Sequence, residues 1–288
     1  RGFVHLWQAI ARGISVIGGQ TPLGLDEKGS YGLIDEQANW IITPSFDGIG
    51  DLKNNRRWVN AGGEFGFINK KGNIVISPQY EDALDFEGGL APVKMNEYWA
   101  FIDTSGIMVT RPIYEKAKPY SEGLAAVQKD GMWGFINTQG NVIVQNTFEN
   151  VSSFQNGYAW VQKNGAYGYI DKSGKIKVGG TFEGAKDATN NLFLVRYRRK
   201  WGFVDTSGSW IIKNEFDDAL PFQNGFAAAA IKGKWGFIDT TGKWVIPAVY
   251  DEVQSFSEGI AAVKMGTKWG FINEKNHRIE NYFKKFRP

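Results

Sequence analysis

The sequence predicts an all-β chain, a tandem array of short antiparallel β-meanders, and three observations carry that reading. An aromatic residue returns every 34 residues without a slip, at Tyr31, Phe65, Trp99, Trp133, Tyr167, Trp201, Trp235 and Trp269. The same register carries an Asx column (Asp35, Asn69, Asp103, Asn137, Asp171, Asp205, Asp239, Asn273) and a turn-glycine column (Gly72, Gly106, Gly140, Gly174, Gly208, Gly242). Finally, 15% of residues are aromatic and 36 are glycine, a pairing that favours strands and tight turns over helices. One repeated pair of residues arises by chance; several columns at constant offsets mark a repeat architecture. Repeats are numbered by their aromatic, from Tyr31 (repeat 1) to Trp269 (repeat 8).

In chain order, residues 1–21 read as a leader or cap. Phe3, Leu6, Trp7, Ile10 and Ile14 follow a helical period, so a short helix over the exposed end of the first repeat is expected, with an extra strand as the alternative. Gly18-Gly19 breaks that pattern, and residues 22–288 are expected to form eight repeats in one continuous domain. Repeat 4 shows the unit. Leu124–Val127 is a first strand, Lys129-Asp130-Gly131 turns, and Trp133–Asn137 is a second strand antiparallel to it. Asn137-Thr138-Gln139-Gly140 is a hairpin in which the Asx side chain bonds the backbone two residues on and glycine takes the left-handed conformation. Asn141–Val144 is the third strand. Alternation puts Trp133, Phe135 and Asn137 on one face and Gly134 and Ile136 on the other. The glycine leaves a notch, which an aromatic from the adjoining strand or repeat is expected to cover. Repeat 3 places Ala100 there, the smallest side chain available.

A second aromatic column follows the third strand (Phe46, Tyr80, Tyr114, Phe148, Phe182, Phe216, Tyr250). A looser third has Phe86, Tyr120, Phe154, Phe222 and Phe256, but Leu52 and Ala188 in the remaining repeats. One 34-residue repeat cannot bury such a face alone, so stability must come from its neighbours. The pattern decays at both ends: Tyr31 and Ala38 replace Trp and the turn glycine in repeat 1, and Asn276 and Arg278–Asn281 interrupt repeat 8. That decay favours an open curved or superhelical array, with an eight-bladed β-propeller as the alternative.

These columns, with KWGFID spelled outright at Lys234–Asp239, resemble the bacterial WG-repeat (KWG-repeat) family over roughly residues 22–288. The resemblance implies a repeat scaffold with no single assigned chemistry. The residues themselves agree with that. There is no cysteine, which excludes disulfides, thiolate metal sites and a cysteine nucleophile, and the two histidines, His5 and His277, lie at opposite ends of the chain. No nucleophile-elbow, zincin or phosphate-loop motif occurs, so no catalytic residue, metal or cofactor is expected. Net charge is +3 with both signs dispersed, which argues against nucleic acid, and no apolar run is long enough to span a bilayer. The absence of cysteine and the non-Met start lean towards a bacterial envelope or secreted setting.

Binding is sought where one repeat departs from the rest. Trp58 and Trp160 occupy a column otherwise filled by Gly24, Pro92, Ala126, Leu194, Ala228 and Ala262, and could offer stacking platforms for a glycan or a partner side chain. Arg196-Tyr197-Arg198-Arg199-Lys200 is a basic hairpin where other repeats are milder, and Lys234 and Lys268 continue its line. An acidic column (Asp47, Glu81, Glu115, Glu149, Glu183, Asp217, Asp251) directly follows the second aromatics. It reads either as a cation ridge or, the expected case, as carboxylates accepting bonds from their own turns. The expected function is a non-catalytic scaffold binding another macromolecule, a protein first, with glycan recognition or a structural accessory role as alternatives.

Overall fold

The computed structural model describes residues 23–25, 29–35, 39–189 and 191–279, and the helix expected over residues 1–21 lies outside them. The described residues are all-β, with five four-stranded and three three-stranded antiparallel sheets whose strand order follows the chain. In repeat 4 the strands are Lys116–Ala117, Leu124–Lys129, Met132–Asn137 and Val142–Phe148. Leu124 pairs with Asn137 and Lys129 with Met132, as the alternation predicts. The difference from the expected three-stranded unit is the leading strand of two residues, paired as Lys116↔Gln128 and Ala117↔Val127. Two residues cannot display an alternation, which is why the pattern reads as a plain connection.

The chain divides into two compact halves, Arg1–Asn146 and Thr147–Pro288. Within each half the cores lie between successive sheets. In the N-terminal half, Phe67, Ile76 and Tyr80 of repeat 2 close on Phe86, Val93 and Ile102 of repeat 3. In the C-terminal half, Phe237, Ile246 and Tyr250 of repeat 7 close on Phe256, Val263 and Ile272 of repeat 8. Each such core needs two repeats to exist.

Aromatic pairs sit at the centres of these junctions. In repeats 2, 3, 6 and 7 the phenylalanine two residues after the signature aromatic meets the third-column aromatic of the next repeat, with centroids 4.8 Å apart for Phe67 and Phe86 and 5.0 Å for Phe101 and Tyr120. Further along, the pairs Phe203–Phe222 and Phe237–Phe256 stand at 4.7 and 4.6 Å. Repeat 6 has Ala188 where the ring should be, and Phe193 supplies it instead, 4.4 Å from Tyr169. Phe193 occupies a column that is alanine at Ala91, Ala125, Ala159, Ala227 and Ala261. In repeat 2 the same two columns hold Leu52 and Arg57, and Arg57 is buried with its Nη1 donating to the Gly50 carbonyl at 3.0 Å. Close packing requires one bulky group in the slot and leaves open which of two positions provides it.

The signature glycine has a different cause from the one expected. A Cβ on Gly236 would lie 2.4 Å from the Ile246 carbonyl oxygen and 2.7 Å from the Ala248 nitrogen. Gly66, Gly134 and Gly202 meet the same wall of third-strand backbone. In these repeats the notch is therefore filled by main chain and not by an aromatic ring; in repeat 1 the Trp40 ring joins the main chain there, 2.8 Å from a Cβ on Gly32. The register explains it: Trp235 pairs with Tyr250 and Phe237 with Ile246, so Gly236 alone faces three residues of the third strand, Pro247, Ala248 and Val249, and the surplus bulges over the glycine. Repeat 3 supplies the converse. With Ala100 in place, its third segment makes only isolated bridges at Met108 and Tyr114, and the Thr110 hydroxyl accepts a hydrogen bond from the Phe101 amide at 3.0 Å.

The turn glycines have two reasons to recur. Gly72, Gly106 and Gly242 have φ of 84°, 85° and 87°. A Cβ on each would also meet Ile42, Ile76 and Ile212 of the preceding repeat, at 2.5, 3.3 and 3.0 Å. The hairpin tip thus rests on its neighbour's third strand.

Candidate functional site

The acidic column is built into the hairpins. Asp47 accepts from the Gly62 amide at 2.7 Å, Glu115 from Gly131 at 3.0 Å, Glu183 from Arg199 at 2.9 Å and Asp251 from Gly266 at 2.6 Å. Each carboxylate caps the tip of the hairpin between the first and second strands of the following repeat. Lys200 and Lys234 reach back to this column, pairing with Asp217 and Asp251 and holding both carboxyls below their usual range. Lys268 is exposed. The Asx column works as its chemistry predicts: Asn137 Oδ1 accepts from the amides of Gln139 and Asn141 at 3.0 and 2.9 Å. Asp171, Asp205 and Asp239 do the same and also accept from the hydroxyls of Ser173, Ser207 and Thr241, which lower their pKa. Among the described residues, no three His, Cys, Asp or Glu side chains are placed to hold a metal ion together.

The unusual tryptophans pack inwards. Trp58 is half-buried, 5.6 Å from Phe65, and lies over Gly50 so closely that a Cβ there would be 2.1 Å from its indole nitrogen. Trp160 is half-buried, 5.8 Å from Tyr167, with its amide bonded to the Ser152 hydroxyl at 3.0 Å. Gly50 and Ser152 share a column whose other members include Leu84, Lys118, Leu220 and Gln254, each opposite a small residue or proline: Pro92, Ala126, Ala228 and Ala262. Bulk on one strand matches its lack on the next, except in repeat 6, where Lys186 stands opposite Leu194. Periodicity alone hides this, because the two columns must be read together.

The basic hairpin is more exposed. Arg198 and Arg199 occupy its tip with φ of 49° and 64°, where repeats 2, 4, 5 and 7 use Gly62-Gly63, Asp130-Gly131, Asn164-Gly165 and Lys232-Gly233. Left-handed backbone disfavours a side chain other than Asn or Asp by about 1–2 kcal/mol per residue, so two arginines there cost stability. The Arg198 guanidinium lies 5.3 Å over Tyr197, and Arg196 approaches Glu183 at 4.0 Å. Tyr197 also faces Trp210 and Phe182, both at 6.5 Å.

Sequence reasoning missed an exposed apolar feature. The third strand closes the sheet order in the four-stranded sheets, and large apolar residues are exposed at its start, as a pair in repeats 2, 4 and 6 and singly in repeats 5 and 7. In the N-terminal half these are Trp40 and Ile41, Ile74 and Val75, Met108, and Val142 and Ile143; in the C-terminal half they are Ile176, Trp210 and Ile211, and Val245. Ile74 is 55% exposed and Ile211 47%, far more than a core strand leaves open. Their pairing as consecutive residues was the available signal, since a strand buried on one face alternates.

Among solved structures, the chain superposes on a crystal structure of a eukaryotic initiation factor with a TM-score of 0.60 and 13% identity, covering 90% of this chain and 84% of that one. It is also similar to Hsv2 of Kluyveromyces lactis (TM-score 0.44, 10% identity, 78% and 95% covered). A third is the WD40 domain of SCAP from fission yeast (TM-score 0.36, 9% identity, 91% and 94% covered). The first likeness concerns the fold alone. A comparison with curated proteins returns no match. The WG containing repeat matches seven times in tandem, over residues 31–64, 65–99, 99–133, 133–165, 167–201, 201–235 and 235–269. With its signature aromatics bounding those matches across most of its length, the chain belongs to the WG repeat family.

Proposed function

We propose that this chain is a non-catalytic scaffold that binds another protein along the outer strands of its repeats. The observation that supports this most is the exposure of large apolar residues, singly or in pairs, at the start of successive third strands within each half. Apolar side chains repeated at one position of a sheet's last strand are costly to leave in water, and soluble proteins keep such surfaces chiefly where a partner covers them. A protein partner suits them better than a glycan, because Trp58 and Trp160, the rings a sugar would need, are half-buried in their own repeats. The strained, arginine-bearing hairpin at Arg198-Arg199 adds a cationic flank for acidic groups on that partner.

The test is photo-crosslinking from benzoylphenylalanine introduced at Ile143 or Ile211, with Asp130 at a hairpin tip as the control position. A defined protein adduct from the strand positions, lost on adding Ile74→Glu or Val245→Glu at unchanged melting temperature, is the expected result. Equal labelling from Asp130 would end the proposal.

A further inference from the structure

A cavity of about 350 Å³ on the third strand of repeat 5 is lined by Phe148, Val161, Lys163, Ala166, Tyr167 and Gly180 among others. Its origin is legible by comparing repeats. The position of Gly180 is asparagine in repeats 4 and 6. In repeat 4 the Asn146 amide nitrogen donates to two carbonyls of its own sheet, Val127 at 2.8 Å and Met132 at 3.1 Å. In repeat 6 the Asn214 amide donates to the Tyr197 carbonyl at 2.8 Å. The corresponding residues of repeat 5 are Val161, Ala166 and Lys163, and all three line the cavity. Gly179 and Gly180 carry no side chain to enter it, and a Cβ on Gly180 would meet nothing within 4 Å.

We infer that this cavity is a binding site for a primary carboxamide, the asparagine or glutamine side chain of a protein partner, which takes the place that Asn146 fills in repeat 4. The chemistry selects that group. One nitrogen must donate twice, as Asn146 does, so it must carry two hydrogens; an N-acetyl group or a sugar hydroxyl has only one to give. A cationic donor would have two or more but would enter beside the Lys163 ammonium, which sits 6.0 Å over the Phe148 ring. Phe148 and Tyr167 supply apolar walls for the methylenes, and the volume is within the range of small-ligand pockets, about 300–1,000 Å³. The cavity lies on the same third strand as the exposed Ile176, which also lines it, but binding of a small carboxamide there does not depend on that strand binding a protein.

The experiment uses the full chain with ¹³C-labelled valine and alanine methyls, titrated with N-acetylglutamine methylamide, N-acetylglutamate methylamide and N-acetylglucosamine. The glutamine probe is expected to shift the Val161 and Ala166 methyls saturably, and the glutamate probe to bind about tenfold more weakly or not at all. Gly180→Asn, tolerable in a left-handed position, should abolish the glutamine response by supplying a carboxamide from the chain itself, whereas Ala166→Met, the residue that stands beside the Asn146 amide in repeat 4, should leave it intact. The probe series on the unaltered chain decides the matter if Gly180→Asn fails to fold. No saturable shift with the glutamine probe, an undiminished response in folded Gly180→Asn, or preference for N-acetylglucosamine would overturn the assignment.

Discussion

The junction between repeats 5 and 6 and the junction between repeats 7 and 8 solve one packing problem with different residues. In the second, Phe237 meets Phe256, the third-column aromatic, and Ala261 stays small. In the first, the column has Ala188, and the ring comes from Phe193 five residues later, in a column that is otherwise mostly alanine. Tyr169 replaces phenylalanine there as well, and its hydroxyl, 2.5 and 2.8 Å from the carbonyls of Lys186 and Leu194, shares its one hydrogen between them. The constant of this fold is a volume between sheets. Residue identity at any one column is secondary to filling it.

The largest effect should come from emptying that volume. Phe193→Ala is expected to lower stability by about 3–5 kcal/mol, as much as Phe256→Ala does at the regular junction, measured by denaturant unfolding of the full chain. A much smaller loss for Phe193 would separate the two junctions. Gly236→Ala comes next, at about 1–3 kcal/mol, because the new Cβ presses on third-strand main chain that cannot rotate aside. Tyr169→Phe converts the exceptional junction towards the regular one and should cost about 0.5–1.5 kcal/mol for its hydrogen bonds. Gly270→Ala should be nearly silent, within about 0.5 kcal/mol, since among the described residues its Cβ would meet only Arg278 Nε, at 3.9 Å. Equal costs at Gly236 and Gly270 would contradict the backbone explanation of the signature glycine.

A pH titration gives the mildest effect. Asp171, Asp205 and Asp239 have folded pKa values below the ordinary one, first through hydroxyl bonds and then through backbone amides. Their contribution is present above the unfolded carboxylate pKa and is lost as pH falls below about 4. Asp239→Asn keeps the Asx turn, as Asn137 does, and should remove only that acid-dependent part of the melting temperature. At the other extreme, burial raises the pKa of Tyr120 and Tyr169, so stability should decline as pH rises above about 10.

Much of the local architecture was legible in the sequence because it depends on features that recur at one offset. The 34-residue register, the hairpin glycines and the Asx turns all follow from a single residue's conformational needs. What escaped was relational. The two-residue strand Lys116–Ala117 is too short to show a period. The bulge over Gly236 depends on the register between two strands, so the residue beneath it looked like a socket for a ring. Trp58 and Trp160 stood out as lone aromatics because Gly50 and Ser152, which make room for them, were not read alongside. The exposed pairs such as Val142 and Ile143 passed as ordinary strand residues, since a β-rich edge and a β-rich core use the same amino acids.

The most direct measurement is the exchange variant Ala188→Phe/Phe193→Ala, which gives the exceptional junction the arrangement of the regular one. If a filled volume is what binds successive repeats, the double variant recovers most of the stability lost in Phe193→Ala, and its melting temperature returns close to that of the unaltered chain. If it melts as low as Phe193→Ala alone, the junctions depend on particular residues at particular positions, and filling the volume is not what holds the repeats together.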